Sequence, residues 1–76
     1  MWNHRVVKET YENEDNFEIC EVFYDSDGLP YAYGKAVAAS DKLETLSEQL
    51  SWMMDALSKP VLIYPNDFKG DVNKWH

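Results

Sequence analysis

Segments of alternating or β-branched apolar residues fill the first half of the chain and predict three strands. Residues 5–11 are rich in β-branched side chains, residues 16–25 alternate apolar with polar positions, and residues 29–38 alternate bulky with small side chains. The polar residues 12–16 predict a loop, and Asp25-Ser26-Asp27-Gly28 supplies the chemistry of a tight turn. We therefore expect the three strands to form an antiparallel meander.

The pairing register of the third predicted strand stays open. A three-residue loop in the preceding turn places Tyr31 across from Phe23, whereas a two-residue loop places Ala32 there. Pro30 has no backbone N–H, so it fits a strand end or an outer strand of the sheet.

An amphipathic pattern predicts a helix over residues 42–58. Asp41 with Glu44 three residues later resembles a capping box, and Pro60 ends the helix. At 100° per residue, six apolar side chains fall within about 100° of arc, and we expect this stripe to face the core. The six are Leu43, Leu46, Leu50, Met53, Met54 and Leu57.

A short apolar run at residues 61–64, between two prolines, predicts a fourth strand parallel to the first and third. The expected fold class is α+β: an antiparallel three-stranded meander, one amphipathic helix packed on one face, and a short C-terminal fourth strand. Residues 1–76 are expected to form a single small domain. Its ordered core covers about residues 5–64, and residues 66–76 form a mobile or loosely docked tail.

The charge of the chain limits its partners. Fourteen acidic against seven basic side chains give a formal net charge of −7, which argues against DNA, RNA or anionic lipid as direct partners. Residues 1–28 hold eight carboxylates against Arg5 and Lys8, a net charge of −6. This acidic half is either a solvated surface that keeps the protein soluble or a contact site for a basic protein surface.

The single cysteine excludes the disulfide-stapled secreted class and points to a reducing compartment. Cys20 lies within an apolar stretch, which favours a buried, inert thiol. No apolar stretch has the length of a signal peptide or approaches the ~20 residues that span a bilayer. We therefore expect a cytoplasmic protein without a membrane partner.

Residue patterns for catalysis, metal binding or cofactor binding are missing from the sequence. His4, Cys20 and His76 lack metal-ligand spacing, and the Asp25-Ser26-Asp27-Gly28 turn lacks the remaining ligands of a calcium loop. The three glycines are too sparse for a phosphate-binding loop, and no serine has a histidine nearby. The sequence predicts neither an enzyme nor a metal or cofactor site.

Trp52 is the unusual residue of the predicted helix, because it points about 180° away from the apolar stripe. Three interpretations remain open. The tail, with Phe68 and Trp75, covers the indole; the indole is a tolerated exposed side chain; or it belongs to a partner or self-association site.

One helix cannot cover both faces of the predicted sheet. If the helix packs on Ala32 and Gly34, then Tyr31 and Tyr33 remain partly exposed beside Glu21 as an amphipathic patch. If the helix packs on the tyrosines, they belong to the core instead. In either arrangement the outer strands remain candidates for pairing with another chain.

The hairpin turn, the helix cap and the helix stop follow one another in a set order. These features, together with the first strand, lie in four short motifs. The motifs are Arg5-Val6-Val7-Lys8, Glu21-Val22-Phe23-Tyr24-Asp25-x-Asp27-Gly28-x-Pro30, Asp41-x-Leu43-Glu44-x-Leu46 and Met54-x-Ala56-Leu57-x-Lys59-Pro60-Val61-Leu62. In these motifs, over about residues 5–64, the chain resembles a group of short uncharacterised bacterial and phage proteins. The resemblance implies the same order of elements and no particular activity. The chain departs from the group's pattern in residues 12–16 and after Phe68.

Taken together, these features favour a non-enzymatic acidic protein-interaction module, a small adaptor or inhibitor of a larger protein with a basic surface. Two alternatives are a nucleic-acid mimic, in which carboxylates of the first hairpin imitate phosphates, and a homodimeric structural protein. The predicted interface residues are Trp52, Tyr31, Tyr33, Glu21, Glu12, Glu14, Asp15 and Trp75.

Overall fold

The computed structural model of the protein describes residues 1–68, in which one helix packs on a four-stranded sheet. The strand order is β3-β2-β1-β4; β1 and β3 are antiparallel to β2, and β4 is parallel to β1. The predicted α+β class and the parallel fourth strand are confirmed, but the sheet is mixed rather than a purely antiparallel meander. The elements are β1 (Trp2–Tyr11), β2 (Glu14–Tyr24), β3 (Pro30–Lys35), α1 (Leu43–Asp55), a 3₁₀ turn (Ala56–Ser58) and β4 (Leu62–Ile63).

β1 and β2 form a long hairpin joined by only two residues. Pairing runs without interruption from Trp2 opposite Phe23 to Tyr11 opposite Glu14, so the predicted loop at residues 12–16 is wrong. Glu12 and Asn13 have φ values of 51° and 67°, as a type I′ turn requires, and this turn matches the twist of the two strands. The first strand also begins three residues earlier than predicted.

The turn between β2 and β3 is built as its sequence indicates. The Asp25 carboxylate oxygen Oδ1 accepts hydrogen bonds from the backbone N–H groups of Asp27 and Leu29, each at 2.9 Å. Gly28 has φ of 79°, a conformation that glycine adopts without steric cost. The predicted tight turn is therefore confirmed.

The β2–β3 hairpin combines the two alternatives that the sequence left open: it has the three-residue loop, but a bulge after the loop gives the register expected for the two-residue loop. The backbone N–H of Asp25 donates to the carbonyl of Leu29 at 2.9 Å. The bulge at Phe23/Tyr24 then shifts the pairing, so that Ala32, not Tyr31, lies opposite Phe23. β3 is an outer strand, as Pro30 predicts.

One face of the sheet carries the hydrophobic core. Directly paired residues share a face, which places Val7, Cys20, Val22 and Tyr33 together, all of them buried. Phe68, in the chain after β4, packs over this cluster and is itself buried. Phe68 therefore belongs to the core and not to a loose tail.

The opposite face carries Trp2, His4 and Val6 of β1 beside Ala32 and Gly34 of β3. The helix lies on this face, at the first half of β1, where side chains of both elements line a common pocket. Of the two arrangements considered from the sequence, the helix takes the side with small residues. The core tyrosine on the other face is nevertheless buried, because the chain after β4 covers it.

The ends of α1 differ from each other in how well the sequence predicts them. The N-cap is Lys42, without a side-chain capping bond, and the N–H of Lys42 donates to Ser40 Oγ at 3.2 Å. The predicted capping box of Asp41 and Glu44 is therefore wrong. The predicted stop is confirmed, since Lys59 is extended, as the residue before a proline prefers.

The predicted orientation of α1 is also wrong. The side turned to the sheet carries Ala56, which is buried, and Thr45, Gln49 and Met53, which are half-buried. No residue of α1 itself is buried, and most of the predicted core stripe faces away from the sheet. The sheet face below the helix mixes apolar side chains, such as Val6, Ile19 and Ala32, with the polar His4, Lys8 and Glu21.

Candidate functional site

A pocket of about 420 Å³ lies between the start of β1 and the C-terminal half of α1, a volume within the range typical of ligand sites. We call it the tryptophan pocket. It is lined by Trp2, Asn3, His4, Trp52, Asp55 and Lys59.

Strand and helix periodicity bring these side chains together. Residues two apart in a strand share a face, which places Trp2 and His4 on the helix-covered side of β1. Residues three apart on a helix are neighbours, which aligns Trp52 with Asp55. Lys59, just after the 3₁₀ turn, reaches back to Asp55 through an ion pair. Fifty residues of sequence separate the two tryptophans, so the fold and not local structure assembles the pocket.

Both indoles are only half covered by the protein. Trp2 is 50% exposed and Trp52 is 53% exposed. The Trp2 ring stands edge-on to the His4 ring, with centroids 5.2 Å apart and an interplanar angle of 80°, an arrangement that aromatic pairs prefer. This contact restrains one wall of the pocket before any ligand binds.

His4 is the buried polar group of the pocket. It is 8% exposed, and its ring makes no hydrogen bond to another residue within 1–68. Its neighbour across the strands is Glu21, which is half-buried. An imidazole ring can both donate and accept a hydrogen bond, so a bound molecule that reaches the His4 ring can pair with it.

An ion pair forms the polar edge of the pocket. The Lys59 ammonium lies 3.5 Å from the Asp55 carboxylate, and the carboxylate is the more exposed of the two groups. Exposed pairs of this kind contribute little stability and rearrange easily. The carboxylate is therefore accessible to a second cation.

The structure separates the predicted interface residues into different environments. Trp52 lines the pocket, and Glu21 lies beside it. Tyr31 is exposed on the outer strand. Tyr33 is buried in the core, where its hydroxyl donates a hydrogen bond to Glu9, so it is not available at the surface.

The acidic end of the first hairpin is remote from the pocket. Glu12 and Glu14 are exposed, whereas Asp15 is bound by the Lys8 ammonium at 3.5 Å and the Thr10 hydroxyl at 2.8 Å. At about 3.3 Å per residue, this end of β1 lies roughly 30 Å from Trp2. The predicted interface residue Trp75 lies outside the described residues.

Of the six residues that line the pocket, sequence reasoning named only Trp52 as an interface residue and missed Trp2, Asn3, His4, Asp55 and Lys59. A signal was present, because Trp2, His4 and Val6 continue the period-two pattern of the first strand toward the N-terminus.

Cys20 is buried, and burial together with the Glu18 carboxylate raises the pKa of its thiol from 9.0 to about 12. The predicted burial of the thiol is confirmed, and its low reactivity stays a prediction. Residues 1–68 contain no cluster of three side chains that could hold a metal ion. In that same part of the chain, α1 is too short and too polar to cross a membrane.

A second surface lies along the outer side of α1 and of the 3₁₀ turn that follows it. Four large apolar side chains, which we call the leucine stripe, are exposed there. They are Leu43 at 79%, Leu50 at 48%, Met54 at 69% and Leu57 at 65%.

Comparisons of the chain with protein-family models, with curated proteins and with solved structures give no match. The resemblance to short bacterial and phage proteins therefore stays a prediction.

Proposed function

We propose that this protein is a non-enzymatic protein-interaction module, and that the tryptophan pocket holds a basic side chain of its partner. The observation that carries the proposal is the meeting of two half-exposed indoles with the buried His4 ring in one pocket. Tryptophan is enriched among the residues that dominate binding energy at protein interfaces.

The aromatic walls favour a cation. The face of an indole carries negative electrostatic potential, and tryptophan is the best aromatic partner for arginine or lysine. Such a contact contributes about 0.5 to 2 kcal/mol, depending on how far the cation is desolvated. Two tryptophans allow a guanidinium to stack on one indole while it contacts the other.

Charged groups of the pocket support the same ligand class. The Asp55 side chain is 64% exposed and provides a carboxylate acceptor for a guanidinium. Its Oδ1 also accepts a long hydrogen bond from the Ser58 hydroxyl, at 3.5 Å. Glu21 lies on the neighbouring strand β2, directly opposite His4. Lys59 is already paired with Asp55, so its charge is partly neutralised before a ligand arrives.

The net charge of −7 acts at longer range. It attracts a basic partner and raises the rate of encounter, an effect that salt weakens. We therefore expect the partner to carry an arginine or lysine that protrudes from a basic surface.

Nuclear magnetic resonance titration tests the pocket directly. N-acetyl-arginine amide is added to the ¹⁵N-labelled protein, and N-acetyl-citrulline amide, which has nearly the same shape without the charge, serves as the matched probe. We expect the arginine compound to shift the indole N–H signals of Trp2 and Trp52, and the citrulline compound to leave them in place. Equal shifts with both compounds, or none with either, would contradict the proposal.

Variants locate the binding. Trp52→Ala removes one wall and is expected to abolish the arginine-dependent shift at Trp2. Tyr31→Ala removes an exposed aromatic residue on the outer strand and is expected to leave that shift unchanged. Loss of the shift in both variants would show that it does not report on the pocket.

A further inference from the structure

We infer that the leucine stripe is the contact surface for a second copy of this chain, with the two α1 helices packed antiparallel across a two-fold axis. The stripe has no cover within residues 1–68. A helix of 13 residues with no buried side chain of its own depends on tertiary contacts for its stability, since isolated helices of this length are marginal in water.

The stripe is symmetric in sequence about Leu50. Leu43 lies seven residues before Leu50 and Leu57 seven residues after it, while Leu46 and Met54 lie four residues to either side. When two such helices run antiparallel with their Leu50 side chains in contact, Leu43 meets the partner's Leu57 at both ends. A two-fold interface requires this self-complementarity, because the same patch serves both copies.

The stripe is also narrow and free of charge. At 100° per residue its four side chains fall within about 60° of arc. The next positions around the helix, away from the sheet, are Ser47, Ser51 and Ser58, which are small and exposed. The carboxylates of Glu44, Glu48 and Asp55 lie more than 100° from the centre of the stripe, so two acidic chains approach here without bringing these charges together.

The exposed area suits a dimer. Four apolar side chains, each about half to four-fifths exposed, form a patch on the order of 400 to 500 Å² per copy, within the range of the largest apolar patches on monomers, which are often functional. With the serines and helix ends included, two copies bury about 1,000 Å² or more in total, the lower limit for a specific interface.

Light scattering coupled to size-exclusion chromatography tests the inference on the full chain. We expect the wild-type protein at micromolar concentration to have twice the mass of one chain, and Leu50→Glu to halve that mass. The matched control is Leu29→Glu, since Leu29 is 51% exposed and Leu50 is 48% exposed, and Leu29 lies in the β2–β3 turn. A wild-type monomer, or a dimer that survives Leu50→Glu, overturns the inference.

One further variant covers the case in which Leu50→Glu fails to fold. If circular dichroism shows that Leu50→Glu unfolds, Met54→Glu decides the matter, because Met54 is more exposed and its replacement is expected to halve the mass of a folded protein. A folded Met54→Glu dimer contradicts the inference.

Cysteine cross-linking tests the direction of packing. Leu50→Cys is expected to form a disulfide-linked dimer on its own. Leu43→Cys is expected to cross-link only when mixed with Leu57→Cys, and cross-linking of Leu43→Cys with itself would overturn the antiparallel arrangement. The native Cys20 is buried and does not compete in the reaction.

Discussion

The ring of Phe68 lies against the ring of Tyr33, with centroids 4.9 Å apart and a tilt of 48° between the planes. This contact joins the end of the described chain to the outer strand of the sheet. It also explains how the face opposite the helix is closed, since Tyr64 packs edge-on against both rings at 5.2 and 5.8 Å.

The aromatic contact predicts a large effect of Phe68→Ala. Truncating a buried phenylalanine costs about 3–5 kcal/mol, a large share of the free energy of unfolding of a domain of this size. Phe17→Ala is the control, because Phe17 is an exposed phenylalanine in β2. Urea denaturation of both variants is the measurement, and equal midpoints would show that Phe68 does not belong to the core.

The two-residue turn of the first hairpin predicts a stabilising substitution. Glu12 has a positive φ of 51°, a conformation in which asparagine is far more common than glutamate. Glu12→Asn is therefore expected to raise the free energy of unfolding by about 0.4–1 kcal/mol. Glu14→Asn removes the same charge from the adjacent strand residue and is expected to give no such gain in urea denaturation. An equal gain in both variants would assign the effect to charge and not to backbone conformation.

The buried thiol predicts slow chemical modification. Because burial raises the pKa of Cys20 to about 12, little thiolate is present near neutral pH, and the reagent DTNB is expected to react only as fast as the protein opens. Ser26→Cys places a second thiol in the exposed β2–β3 turn and is expected to react at once. A single fast phase for the wild-type protein would contradict the burial of Cys20.

Two buried groups predict a loss of stability in alkali. Burial raises the pKa of Cys20 from 9.0 to about 12, and burial with the hydrogen bond to Glu9 raises the pKa of Tyr33 above its ordinary value of 10.0. Each group loses its proton more readily in the unfolded chain, so stability is fully present below pH 9 and falls as the pH rises above it. The expected slope approaches about 1.4 kcal/mol per pH unit for each group.

Urea denaturation between pH 7 and pH 11 measures this slope. Cys20→Ala is expected to flatten the first part of the decline, and Tyr33→Phe the part above pH 10. An unchanged slope in both variants would assign the alkaline loss to other groups.

Local patterns predicted most elements of the fold. Pro60 and the Asp25-Ser26-Asp27-Gly28 turn act through their own backbone geometry, so neighbouring sequence is sufficient to place them. The turn at Glu12 and Asn13 was not predicted, because glutamate is a poor residue for a positive φ and the pairing of the long strands imposes the conformation.

The orientation of α1 could not be predicted from the sequence. Periodicity shows which side of a helix is apolar, but it does not show whether the sheet or another molecule covers that side. The side of the helix that carries Ala56 and Met53 packs on the sheet, and the leucine stripe is exposed. For the same reason Trp52 was correctly placed opposite the stripe, but its neighbour Trp2 was not foreseen.

Both proposed contact surfaces depend on this orientation of α1, and nuclear Overhauser spectroscopy measures it most directly. The structure predicts contacts from the Ala56 methyl protons to side-chain protons of β1, because Ala56 is buried and its 3₁₀ turn packs against that strand. It predicts no contacts within one chain from the methyl groups of Leu43 or Met54 to the β1 residue Val6, and isotope-filtered spectra separate these from contacts between chains. The reverse pattern, with the Leu43 and Met54 methyl groups against Val6 and Ala56 free of contacts with β1, would contradict the account.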